Sequence, residues 1–112
     1  MSEKLAMGAM KIILHAGDAR IKVNEALNEL EKFDFENAKK YLEMAREDIT
    51  EAHKYQTVEL QRESNGENPE FSILLTHAQD TCMTVLCEMN MAERLISLTE
   101  ALDERIKNLE NK

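Results

Sequence analysis

The chain has 112 residues, with three Gly, one Pro and no Trp; 43% are hydrophobic and 32% charged. A chain this apolar and this poor in turn formers is neither disordered nor a β-sandwich, and its length fits a single domain over 1–112. The net charge of −8 repels phosphate, which argues against nucleic acid and anionic membranes as partners.

Leu, Ala, Glu, Lys and Met dominate, so long helices are expected. No apolar run is long enough to span a bilayer, and M-S-E-K-L-A-M at the amino end lacks the apolar centre of a signal peptide. The expectation is a cytoplasmic protein without membrane insertion.

The first predicted helix runs from about Glu3 to Lys32. Leu5, Ile12, Ile13, Ala16, Ala19, Val23, Ala26, Leu27 and Leu30 recur with helical spacing. Gly8 and Gly17 weaken helix propensity, and A-G-D-A-R at Ala16 to Arg20 reads as a tight packing point. Phe33-Asp34-Phe35 breaks the pattern, with Asp34 as the N-cap of a second helix. That helix, about Phe35 to Glu63, turns Ala38, Leu42, Ala45, Ile49, Ala52 and Leu60 to the core. The connection is short, so these two helices are antiparallel neighbours.

Ser64 to Pro69 is the clearest loop. Asn65-Gly66 signals a C-cap, and Asn68 followed by Pro69 signals the start of a third helix that meets no breaker until about Leu109. The fold class is therefore all-α, a three-helix antiparallel bundle. Between Phe71 and Cys87 the third helix carries a single charge, Asp80. Leu75, Ala78, Cys82, Val85, Met89, Ala92 and Ile96 form a seam at alternating spacings of three and four, suited to packing on the other two helices. Ile73, His77, Asp80, Thr84, Cys87 and Met91, followed by Arg94, form a second, semi-polar stripe on the opposite side. A three-helix monomer leaves that stripe facing water. It predicts that the third helix packs on its own copy in a symmetric oligomer. Cys82 and Cys87 project roughly 140° apart on one helix, cannot bridge each other, and read as buried thiols.

His77 and Asp80 share a face. His77 reads either as a nucleophile that carries a phosphoryl group, as a metal ligand with Asp80, or as a core His bonded to a neighbour. Asp80 needs a partner if buried. That partner is a cation such as Mg²⁺ bridging symmetry-related copies, or a salt bridge to Arg20, Arg46 or Arg94. His15 with Asp18, and His53 with Gln56, read as half-buried polar pairs at helix interfaces. There is no nucleotide-binding glycine motif and no Cys pair of zinc spacing. Any phosphoryl group on His77 must then come from another protein.

Three ordered motifs, A-G-D-A-R, E-A-H-K-Y-Q-T at Glu51 to Thr57 and T-H-A-Q-D-T-C-M at Thr76 to Met83, resemble the lactose/N,N′-diacetylchitobiose (cellobiose) type enzyme IIA. That family belongs to the bacterial phosphoenolpyruvate-dependent sugar phosphotransferase system. The similarity covers nearly the whole chain. It implies a homotrimer of three-helix subunits with helix three at the centre. It implies that His77 takes a phosphoryl group from HPr and passes it to a Cys of enzyme IIB, while membrane enzyme IIC moves the sugar. It also implies a metal ion, magnesium or another divalent cation, held by Asp80 on the trimer axis, and a pocket shaped in part by Gln79. The family commonly has a second His four residues after the first; here that position is Thr81, which offers a hydroxyl but no titratable group. The alternatives are a structural or adaptor helical oligomer whose His and Asp are core polar residues, and a metal-storing bundle, which the shortage of His and Cys ligands weakens. The sugar is not legible, because a phosphoryl carrier does not touch it.

Overall fold

The three runs of helical spacing form three helices in the computed structural model, which describes residues 3–67 and 72–112. They are α1 (Glu3–Glu31), α2 (Phe35–Ser64) and α3 (Ile73–Glu110), and the described residues contain no strand. The all-α class and the three-helix order agree with the sequence.

Each helix end follows from local chemistry. The α1–α2 turn closes with Phe33 N–H donating to Leu30 O at 2.9 Å and Asp34 N–H to Glu29 O at 3.0 Å. This is the paired bonding of a Schellman C-cap, and it puts Phe33 at φ 59°, the left-handed position that glycine normally fills. The α2 end repeats the pattern, Gly66 N–H to Glu63 O at 3.0 Å and Glu67 N–H to Arg62 O at 2.9 Å, with Gly66 at φ +76° in the corresponding place. Asp34 caps α2 as predicted, its carboxylate accepting from Asn37 N–H at 3.1 Å.

For α3 the cap is Ser72, whose hydroxyl accepts from Leu75 N–H at 3.1 Å. The helix thus begins at Ile73 and not at the expected Pro69; Asn68 and Pro69 lie outside the described residues.

The core is built largely from small side chains. Ala9, Ala16, Ala19, Ala26, Ala38, Ala45, Ala52, Ala78 and Ala92 are buried beside Ile12, Val23, Ile49, Val85 and Met89. Alanine at the contact lets helix axes approach closely, so a thin bundle 67 Å long and 18 Å across still has a packed interior. All seven residues of the predicted α3 seam are buried. Ion pairs tie the edges: Lys22 to Asp48 (3.1 Å) across α1–α2, and Lys39 to Glu100 (2.9 Å) and Arg46 to Glu93 (3.1 Å) across α2–α3.

Three expectations are corrected. Leu60 faces water; the alternating three-and-four order of the α2 core instead carries Gln56 and Glu59 inward. Gly17 is not a packing point within the subunit, since a Cβ there would meet nothing within 4 Å. Gly8 is the close approach: a Cβ on it would overlap the carboxylate of Glu59, which is 2% exposed and accepts from Arg62 Nη1 at 2.9 Å. Third, Cys82 is buried, but Cys87 is exposed.

Two stability predictions follow from these ends and contacts. Phe33→Gly relieves the left-handed backbone and is expected to raise unfolding stability by about 1 kcal/mol, read by chemical denaturation. No gain would mean that the edge-on Phe33–Phe35 contact, 6.0 Å between ring centres, outweighs the strain. Gly8→Ala is expected to destabilise by about 1 kcal/mol or more despite alanine's better helix propensity. In a Glu59→Ala background that cost should vanish, and equal costs in both backgrounds would reject the contact.

Candidate functional site

The second α3 stripe is left uncovered by its own subunit. Ile73 is 76% exposed and Met91 55%. His77, Asp80, Thr84 and Cys87 between them are also exposed. Two helices cover the seam side of α3, and no other element among the described residues covers the opposite side.

His77 stands in the second turn of α3. Its side chain leans toward the helix N-terminus, as helical side chains do. The first turn of α3 contains no acidic residue to offset the positive end of the helix dipole. The neighbouring side chains are neutral. Gln79 is half-buried, and Thr76 Oγ1 donates to Ser72 O at 3.0 Å. Thr81, also half-buried, donates to the backbone O of His77 at 2.8 Å. The Thr81 hydroxyl hydrogen is therefore committed to the main chain of its own helix.

Two of the readings open from sequence are now closed. His77 is not in the core of its own subunit: it lies on the open face. Asp80 is not held by an internal salt bridge. Arg20 pairs with Glu88 through two bonds of 3.1 Å, and Arg46 pairs with Glu93 and Glu43. Asp80 is exposed and makes no ion pair among the described residues.

The other two motifs flank this face rather than join it. Arg20 of A-G-D-A-R reaches α3 through Glu88 and forms one wall of a groove of about 480 Å³ between α1 and α3. Leu27 lines its α1 side, and Thr84, Cys87, Met91 and Leu95 line its α3 side, so the groove opens onto the second stripe. Sequence reasoning missed this groove; the signal was Arg20 inside a motif otherwise made of small residues and one Asp. In E-A-H-K-Y-Q-T, Gln56 is buried and Tyr55 stacks on His15 at 5.5 Å, which joins α1 to α2. Lys54 bonds Glu51 at 2.9 Å and holds its carboxyl below the usual range. His15 therefore pairs with Tyr55, while Asp18 faces water. Burial pushes the Cys82 thiol up and keeps it protonated, which suits a packing role.

No group of three or more His, Cys, Asp or Glu able to hold a metal occurs among the described residues. One chain offers a single carboxylate at Asp80, short of the six or more oxygens that a hard divalent cation takes. The donor set fits such a cation only if symmetric copies each supply Asp80, with water completing the shell. No helix among the described residues is long and apolar enough to cross a membrane.

Comparisons with known proteins agree with this architecture. The family described as "PTS system, Lactose/Cellobiose specific IIA subunit" matches residues 7–100. The chain is 37% identical over 105 residues to the lichenan-specific phosphotransferase enzyme IIA component of Bacillus subtilis, covering 94% of this chain and 96% of that protein. It is 36% identical over 110 residues to the lactose-specific EIIA component of Lacticaseibacillus casei, covering 98% and 95%. The fold superimposes on the crystal structure of the cellobiose-specific enzyme IIA of Bacillus anthracis with a TM-score of 0.86 at 34% identity, covering 93% of this chain and 95% of that one. A helical bundle of this length, matched in sequence and in fold over nearly its whole extent, belongs to the lactose/cellobiose-specific IIA subunits of the sugar phosphotransferase system, a phosphotransferase component of sugar uptake.

Proposed function

We propose that this chain is the phosphocarrier of a bacterial uptake system for a β-linked sugar such as lactose, cellobiose or N,N′-diacetylchitobiose. A lone pair of a His77 ring nitrogen attacks the phosphorus of phospho-HPr. The N–P bond of the donor breaks as the new one forms. In the second step a Cys thiolate of enzyme IIB attacks the same phosphorus, and the neutral imidazole of His77 is released. Membrane enzyme IIC then moves the sugar. The carrier works in the cytoplasm with these partners and needs no nucleotide.

The observation that carries this reading is the setting of His77. It lies on the open side of α3, without an ion pair among the described residues, among neutral groups and near a helix N-terminus with no acid in its first turn. A phosphoryl anion is favoured there by the dipole, yet no fixed cation holds it so tightly that transfer onward would stall. Gln79 and Thr81 support the site by shaping its walls. Three copies packed through the second stripe, with helix three at the centre, would close His77 into a cleft between subunits. They would also bring Asp80 carboxylates together, where magnesium or another divalent cation relieves their repulsion. No transfer step passes through that ion.

Incubation with phosphoenolpyruvate, enzyme I and HPr is expected to add one acid-labile phosphoryl group, detected by intact mass, and His77→Ala should add none. An unchanged mass while HPr itself becomes phosphorylated would overturn the proposal. A second test concerns position 81. Thr81 has no titratable group and its proton is spent on the His77 carbonyl. Thr81→His introduces a group that changes charge between pH 5 and 8. The pH profile of the transfer rate of that variant should differ from that of the parent across this window. Superimposable profiles would show that the side chain at 81 does not communicate with the phosphoryl group.

A further inference from the structure

A second groove, of about 280 Å³, is lined among the described residues by α1 and α2 alone. Lys4, Gly8 and Lys11 come from α1, and Tyr55, Glu59 and Arg62 from α2. The lining carries three cations and one carboxylate, a local charge of +2 in a chain whose net charge is −8. Cations gathered round a concave surface give an anion a favourable approach to an otherwise acidic molecule.

Glu59 separates this groove from a chance meeting of basic side chains. Its carboxylate is 2% exposed and accepts from Arg62 Nη1 at 2.9 Å. Gly8 makes the room, since a Cβ there would overlap that carboxylate. A buried carboxylate is costly to desolvate, and a glycine inside a helix weakens the helix. Both costs go into holding one guanidinium in place. Only Nη1 is engaged; Nε and Nη2 of Arg62 make no hydrogen bond among the described residues. A planar guanidinium fixed through one nitrogen, with donors left over, is pre-organised to bond an oxyanion. Lys11 is steered as well, its ammonium lying 5.1 Å from the centre of the Tyr55 ring. Neither Lys4 nor Lys11 makes an ion pair among the described residues.

Charge, borders and size together specify the ligand. A local charge of +2 matches a phosphate dianion better than a single carboxylate. Met7 and Val58, 58% and 43% exposed, add an apolar border that a bare inorganic ion would not use. The volume falls just below that of pockets for drug-sized ligands, which suits a phosphate on a short carbon skeleton.

We propose that this groove is a binding site for a small phosphate monoester. Arg62, positioned by Glu59, bonds the phosphate oxygens, and Lys4 and Lys11 complete the charge match. None of His77, Gln79, Asp80 and Thr81 lines the groove, so the inference stands apart from the carrier reading.

Isothermal titration calorimetry of the full chain with glycerol 3-phosphate, in a buffer free of phosphate and sulfate, tests it. One saturable site per chain is expected, weaker for inorganic phosphate and absent for glycerol. Arg62→Gln should raise Kd about tenfold or more, as loss of a charge-assisted hydrogen bond does. Lys4→Gln with Lys11→Gln should raise it several-fold. Glu59→Ala separates a built site from loose attraction. It removes a negative charge, which by attraction alone would tighten binding; release of Arg62 should instead weaken it, with helical amplitude in far-UV circular dichroism retained. His77→Ala should bind as the parent does. No saturable heat, equal affinity for phosphate and ester, an unaffected Arg62→Gln variant, tighter binding by Glu59→Ala or loss of binding in His77→Ala would each overturn the proposal. Failure of phosphoryl transfer with ester binding intact would reject the carrier reading and leave this one standing.

Discussion

Two helices can cover only one side of a third. That constraint governs the molecule, because α3 is apolar on two sides over much of its length. The seam from Leu75 to Ile96 is buried against α1 and α2. The stripe from Ile73 to Met91 is left bare. No rearrangement within one chain buries both. Rotating α3 to cover the second stripe would expose Cys82, Val85 and Met89, at a loss of roughly 2 kcal/mol for each large side chain returned to water. The seam wins because its side chains are all apolar and carry no charge, whereas the stripe includes His77 and Asp80. Desolvating an unpaired carboxylate costs several kcal/mol, so the subunit turns that side outward.

The rest of the fold keeps α3 in that orientation. An alanine-rich interior brings the helices near enough for short ion pairs at their edges, among them Arg20–Glu88 and Lys22–Asp48. Each such half-exposed pair is worth about 1 kcal/mol or less, too little to fold the chain. Their contribution is rotational register. Arg20 holds Glu88 with two parallel bonds, a geometry that tolerates little rotation of α3. Since Glu88 lies beside Cys87 and one turn from Thr84, the same contact sets where the open stripe points. The arginine of A-G-D-A-R thus acts at a distance from His77 by fixing the helix on which His77 sits.

Much of this was legible in the sequence, for a physical reason. Burial in a bundle is periodic, so the seven seam residues, the Asp34 cap and the Gly66 turn could be read from spacing and side-chain chemistry. The misreadings share one cause. Periodicity says which residues lie on one side of a helix but not what stands opposite. Leu60 shares the apolar spacing yet faces water while Glu59 turns inward, because the space opposite Glu59 is made by Gly8, fifty-one positions earlier in the chain. A glycine in α1 and a Glu59–Arg62 pair one turn apart were the available signals. Cys87 is exposed for a like reason: its stripe is apolar enough to belong to a core, but no helix of the subunit stands opposite it. The phosphoryl chemistry was legible only through resemblance; spacing alone left His77 as carrier, ligand or core residue.

The position of His77 also bears on how a carrier can serve two partners. A phosphohistidine buried in its own subunit would be shielded from water but closed to donor and acceptor. One on a fully exposed surface would be open to both and unprotected against hydrolysis. On the proposed reading, an open stripe that further copies partly cover would avoid both extremes, because the walls of the cleft would come from rigid helices rather than from a lid that must move. On the carrier reading, the semi-polar part of the stripe supplies neutral groups and a carboxylate near the reacting nitrogen, on one unbroken helix whose seam side is fixed by the subunit core.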